Sequence, residues 1–260
     1  HKEYRRQRQM CIRDRIHSLS TSSVAALRTD HVAVLVSTQV LGLTTAQVAA
    51  METADIHVLT ATAVAAFSSS QVGALSSTQM PALTSAQIQA LTTSALVGLS
   101  TAGVVALTTD QVSTLALTSV QVISLTTRQV AAMETADIVA LAAAGVGMLV
   151  STQVGALSST QAHALTTSQI QALTTIAIGG LTTASVAALT TDQIGALTTA
   201  EVAVLSAVQV GSFISQGVTA LSTAQVAALG STQVVGLTTT QVRAIETADI
   251  SVLATVGIAA

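Results

Sequence analysis

A leucine-like residue stands at positions 19, 27, 35, 43 and every eighth position to 107, then at 117, 125 and every eighth position to 253. These are thirty octads, twelve before and eighteen after a single two-residue shift at Leu115 and Ala116. So short and persistent a period excludes an ordinary single-core domain, because every unit must meet neighbours equivalent to itself. The consensus is Leu-Thr-Thr-x-Gln-Val-x-Ala, as in Leu43-Thr44-Thr45-Ala46-Gln47-Val48-Ala49-Ala50. Position 1 is Leu in 25 of the 30 octads, with Met51, Phe67, Met133, Phe213 and Ile245 as the exceptions. Position 6 is Val or Ile in 27, the exceptions being Met80, Leu96 and Ala162. Positions 4 and 7 vary freely, so the two fixed apolar positions are assigned to a packed interior. Superimposed on the octad, Met51-Glu52-Thr53-Ala54-Asp55-Ile56 recurs 82 residues later as Met133-Glu134-Thr135-Ala136-Asp137-Ile138, the mark of block duplication.

Neither an unbroken helix nor a flat strand suits this period. Eight residues at 100° each carry the leucine around a helix by 80° per repeat, so no stripe forms. In a strand, positions 1 and 6 have opposite parity and face opposite ways. The chain therefore turns within each octad. Leu at N′, Ser or Thr at the cap, Gln at N3 and Val at N4 combine a hydrophobic staple with a capping box, a helix start. The expected architecture is an all-α solenoid, a superhelix of very short helices, one per octad. Small residues at position 8 allow close backbone approach. One count opposes this frame: position 2 is Ser or Thr in 20 octads but position 3 is in 27. Position 3 is thus either the true cap or a stacked hydroxyl ladder in a β-solenoid, the alternative fold. In either fold, ordering eight residues costs more than two buried side chains return, so stability comes from stacking.

Residues 1–18 differ from the rest. They hold six of the nine Lys and Arg (Lys2, Arg5, Arg6, Arg8, Arg13, Arg15) with the single Tyr and the single Cys, Cys11. Residues 19–260 carry Arg28, Arg128 and Arg243 against ten acids. The run Met10-Cys11-Ile12-Arg13-Asp14-Arg15 resembles the translation of a transposon-derived sequencing adapter, which implies that 1–18 is foreign to the array; the alternative is a disordered basic tail. The expected division is therefore 1–18 as tail, 19–114 as twelve octads, 115–116 as the frame shift and 117–260 as eighteen octads. One cysteine excludes a disulfide scaffold. The longest run without a polar side chain, Ile138 to Val150, is too short to span a bilayer, which takes about 18 residues or more, although mean hydropathy is +0.68.

No catalytic constellation emerges. His31, His57 and His163 are far apart, two of them at the variable position 7, and read as solvated surface groups. There is no Gly-rich phosphate loop and no Gly-x-Ser-x-Gly elbow. The recurring polar specialty is the acidic pair: Glu52 with Asp55, Glu134 with Asp137 and Glu246 with Asp249. Carboxylates near a helix N-terminus favour the dipole, whereas two fall short of the six to eight oxygens of a calcium site. Asp30, Asp110 and Asp192 suggest only solubility. Leu-Thr-x-x-Gln-Val-x-Ala locally resembles the opening helix of TAL-effector repeats, but three arginines in an acidic body cannot neutralise phosphates, so nucleic-acid binding is not expected.

The octads from 19 to 260 resemble the Leu-Thr-Thr-x-Gln-Val-x-Ala arrays of very large bacterial surface and secreted proteins of adhesin-like or haemagglutinin-like type. That resemblance implies a passive or adhesive, non-catalytic stalk outside the cell or on its surface, with an unidentified protein or surface as partner. It carries over no catalytic, cofactor or metal residues. A regular Thr/Ser array binding ice or another crystalline surface is the competing function, and it requires the β-solenoid. Glu, Val, Ala, Gly, Ile and Arg28 at position 2 interrupt such an array there.

Overall fold

The computed structural model describes residues 16–115, 119–245 and 249–253. The basic residues of the head and Cys11, together with Ala116 and Glu246, lie outside them. Every described element is helical and no strand forms among the described residues, so the chain is an all-α solenoid and the β-solenoid alternative does not hold.

Each octad divides into two parts. Positions 1 and 2 are extended: Thr44 has φ −76° and ψ 160°, and Leu91 has φ −60° and ψ 130°. From position 3 the chain turns into a helix of four to six residues in most octads, such as Thr45–Ala50, Ser85–Ala90, Thr167–Ala172 and the shorter Ala61–Val64. Helices so short have no stability of their own; the cap and the packing make them. The cap is position 2. Thr44 Oγ1 accepts from the Gln47 N–H at 3.1 Å, while Gln47 Oε1 accepts from the Thr44 N–H at 2.7 Å, a reciprocal capping box. Position 3 is the first helical residue and is exposed or half-buried in octad after octad, so its hydroxyls form neither the cap nor a ladder. The opposite parity of positions 1 and 6 is resolved by the extended-to-helix bend between them. Leu43 and Val48, or Leu165 and Ile170, both turn inward and are buried.

The chain forms two compact units, His1–Met133 and Glu134–Ala260. In the first, Thr21–Ala25 packs on Thr45–Ala50, Thr29–Ala33 on Thr53–Val58, and Ser85–Ala90 on Thr109–Leu115. In the second, Ala143–Val146 packs on Thr167–Ala172 and Ser159–Ala164 on Thr183–Ala187. Helices three octads apart thus lie side by side in both. Backbones of neighbouring turns approach closely at position 8: a Cβ on Gly98 would lie 2.0 Å from the Ser69 carbonyl oxygen, and one on Gly180 2.2 Å from that of Ser151. Only glycine fits at these two contacts.

Candidate functional site

The residue that organises the interior is the glutamine at position 5. The capping box leaves its amide nitrogen unused, and in most turns this nitrogen donates to backbone carbonyls of the preceding turn. Gln71 Nε2 donates to the carbonyls of Val40 and Leu43, both at 2.8 Å. Gln87 reaches Ile56 at 2.8 Å and Leu59 at 2.7 Å. In the second unit Gln169 reaches Ile138 and Leu141, both at 2.7 Å, and Gln233 reaches Val202 at 2.8 Å and Leu205 at 2.6 Å. The acceptors stand 31 and 28 residues upstream each time, the end of one helix and the first residue of the octad stacked three octads back, so the chain completes a turn in three octads.

The register matters. It places each glutamine opposite a junction between two octads, where one helix has ended and left carbonyls without intrahelical partners. A single amide therefore closes the N-terminus of its own helix through Oε1 and the C-terminus of a helix one turn back through Nε2. These glutamines are buried, and buried amides at this depth are tolerated only because both ends are bonded. The row extends to the start of the described chain, where Gln47 Nε2 donates to Ile16 at 2.8 Å and Leu19 at 2.7 Å.

The two-residue shift lengthens one turn without breaking the row. Gln121 reaches the Leu91 carbonyl at 2.9 Å and Gln129 that of Leu99 at 2.9 Å, now 30 residues upstream rather than 28. The helix that runs into the shift, Thr109–Leu115, has seven residues.

The acidic pairs fall on the same frame. Glu52 and Glu134 are cap residues whose side chains make no cap hydrogen bond, while Asp55 and Asp137 occupy the glutamine slot, only 1% and 2% exposed. Asp249 and Glu201 take that slot too and are buried. Glu201 keeps the capping half, accepting from the Thr198 N–H at 2.6 Å through Oε2. A carboxylate has no N–H to send across the turn, and Asp55 Oδ2, Glu201 Oε1 and Asp249 Oδ1 are buried with no hydrogen-bond partner. Burial pushes the carboxyls of Asp55 and Asp137 above the usual range, with a further upward push from the neighbouring Glu52 and Glu134 charges; an accepted backbone hydrogen bond opposes this. The dipole explanation accounts for an acid in a first turn but not for its burial. Ser185 shows what a short donor achieves in the slot: its hydroxyl reaches the Leu157 carbonyl at 3.0 Å.

The histidines are not brought together. His57 and His163 are exposed, and the Nδ1 of each lies beside a carbonyl of the following turn, Ala82 at 3.0 Å and Ala188 at 2.8 Å. His31 is exposed near Asp30, whose carboxyl is held below its ordinary value chiefly by its bond to Arg28. Asp110 and Asp192 are exposed. No group of three or more metal-ligating side chains occurs among the described residues, and no helix there is long and apolar enough to cross a membrane.

The ALTTAQ repeat family model matches residues 48–85, 81–116, 130–167, 146–175, 164–199 and 215–244. No curated protein and no solved structure matches the chain. Each matched segment is longer than the 28 residues over which a glutamine finds its carbonyl, and together they cover well over half the sequence. By its octads, its capped helices and these matches the chain belongs to the ALTTAQ repeat family.

Proposed function

We propose that the array is a non-catalytic structural element, a spacer or an adhesive surface within a larger secreted or surface-exposed bacterial protein. The observation that carries this reading is the uniformity of the interior. The same cross-turn glutamine bond recurs from Gln47 to Gln241, among octads with Ala, Gly, Ser, Asp or Glu in the slot, so turns share one plan and length is what repetition supplies. The second support is the outer surface, where Ser and Thr of position 3 recur turn after turn with few charges. Such a face suits many weak polar contacts better than one anchored hot spot, since aromatic anchors are nearly absent. The extracellular placement rests on the resemblance to adhesin-like arrays.

The test separates the two roles. Arrays lengthened or shortened by blocks of six octads, two full turns, are placed between donor and acceptor fluorophores, and the full chain is coated on beads exposed to bacterial and abiotic surfaces. Energy transfer that falls with each added block supports a spacer, and retention of beads supports adhesion. Transfer independent of block number, with no retention on any surface, would overturn both.

A further inference from the structure

Asp55 occupies a slot that carries a glutamine donor in the octad before it and two octads after it, with Ala63 between. Gln47 bonds to Ile16 and Leu19, and Gln71 to Val40 and Leu43. The shared register of 31 and 28 residues sets Asp55 opposite the carbonyls of Val24 and Leu27. Its Oδ2 is buried with no partner, so the turn-to-turn hydrogen bond that Gln47 and Gln71 make is missing here unless the carboxyl itself carries a hydrogen. The reach is sufficient: the shorter side chain of Ser185 spans the equivalent gap to Leu157 at 3.0 Å.

We propose that Asp55 is a pH-dependent latch between successive turns. With its proton in place the carboxyl donates to the Leu27 carbonyl, standing in for the glutamine amide. On ionisation the proton leaves to solvent, the donor disappears, and a buried negative charge faces carbonyl oxygens, so the seam between residues 24–27 and 52–58 loosens. Beyond the Glu52 backbone N–H, the surroundings offer the anion no compensation. Its own octad contributes Glu52 at the cap, a like charge, and His57, which is exposed with Nδ1 beside the Ala82 carbonyl. The helix packed against it on one side, Thr29–Ala33, brings Asp30 and His31, both exposed, and Asp30 is already paired with Arg28. On the other side Met80–Ala82 brings no charged group.

The direction follows from the upward displacement of the Asp55 carboxyl by burial and by Glu52. Below the ordinary carboxylate range both folded and unfolded chains are protonated and the latch is fully present. As pH rises from that range through the higher folded value, the unfolded chain ionises first and the latch is lost, the reverse of a salt-bridged aspartate.

The experiment is amide hydrogen exchange of the full chain between pH 3.5 and 7, corrected for intrinsic exchange. Amides of Thr53–Val58 are compared with those of Ser85–Ala90, where Gln87 makes the cross-turn bonds. Protection of Thr53–Val58 is expected to fall about tenfold for each unit by which the carboxyl is displaced, while Ser85–Ala90 stays level and Asp55→Gln makes both segments level. Wild-type protection that is flat or rises with pH overturns the latch, as does an Asp55→Gln chain that keeps the wild-type profile. Should that variant fail to fold, the carboxyl ¹³C shift of Asp55 in the wild-type chain decides. Titration above the ordinary aspartate range supports the latch, and titration within it overturns the proposal.

Discussion

The octads that begin at Leu43 and Met51 are neighbours, carry helices of equal length, Thr45–Ala50 and Thr53–Val58, and bury the same two apolar positions. They differ in how polar atoms are distributed between cap and slot. The first has a hydroxyl at the cap and an amide in the slot, so two helix ends on consecutive turns are closed by Thr44 and Gln47. The second has acids at both places; neither Glu52 nor Asp55 can donate when ionised, and one buried oxygen is left over. Apolar packing is common to both octads, so it defines the coil without fixing how firmly one turn holds the next. That firmness is set by the residue in the slot.

The largest test of this division attacks the part both octads share. Leu189→Asp places an unpaired charge in the apolar interior and is expected to cost about 4 kcal/mol or more, with proteolytic cleavage appearing first around residues 181–197. Unchanged protease resistance there would remove the premise that position 1 packs the core. Next in size is the slot itself. Gln169→Leu keeps the volume but strips donors from the buried carbonyls of Ile138 and Leu141, an expected loss of about 2–4 kcal/mol in urea titrations, at about 1–3 per orphaned group. A smaller loss than that from an exposed position such as Ser168 would mean the cross-turn bonds are incidental. Glu201→Gln runs the comparison in reverse. It supplies the missing donor toward Ile170 and Leu173, and a gain of about 1–2 kcal/mol at pH 7 is expected from satisfying the unpartnered Oε1 position.

Much of this was readable beforehand, and the part that was not has a definite cause. The staple and capping box are local, complete within Leu43, Thr44, Gln47 and Val48, so the helix start could be placed from residue types alone. The cap position stayed ambiguous because Thr and Ser are commoner at position 3, a solvent-facing first helical residue with little to select against them. The second half of the glutamine's role was hidden because it depends on which carbonyls the octad three units back brings beneath it, and nothing within a single octad reveals them. A signal for it was present nonetheless. A capping box accepts Glu as readily as Gln, yet position 5 holds sixteen Gln and a single Glu, Glu201; a preference that strong asks for a donor as well as an acceptor. The head shows a related limit. Composition placed the boundary after residue 18, while the carbonyls of Ile16 and His17 already serve as acceptors for Gln47. Removing residues 1–15 is therefore expected to leave the first turn intact, and removing 1–18 to expose the Gln47 amide, a difference that exchange of the Thr45–Ala50 amides would detect.

The smallest effect isolates the cap from the slot. Val150 stands at the cap of Ser151–Val154 and has no side-chain acceptor, yet Gln153 Oε1 still accepts from the Val150 N–H at 3.0 Å. One half of the capping box therefore survives without the other, as it does at Val36, where Gln39 accepts at 2.9 Å. Val150→Thr adds the missing acceptor for the N3 amide without touching the glutamine, and a gain of about 0.5–1 kcal/mol in the urea midpoint is expected, the ordinary worth of a hydroxyl cap. Thr166→Val should lose a similar amount, since Thr166 Oγ1 accepts from the Gln169 N–H at 3.1 Å. If the two changes are equal and opposite, cap and slot contribute independently, and octads with Val or Gly at position 2 are tolerated because the glutamine alone holds the turn. If Thr166→Val instead costs as much as Gln169→Leu, the threonine is what orients the amide toward the preceding turn, and cap and cross-link act as one unit.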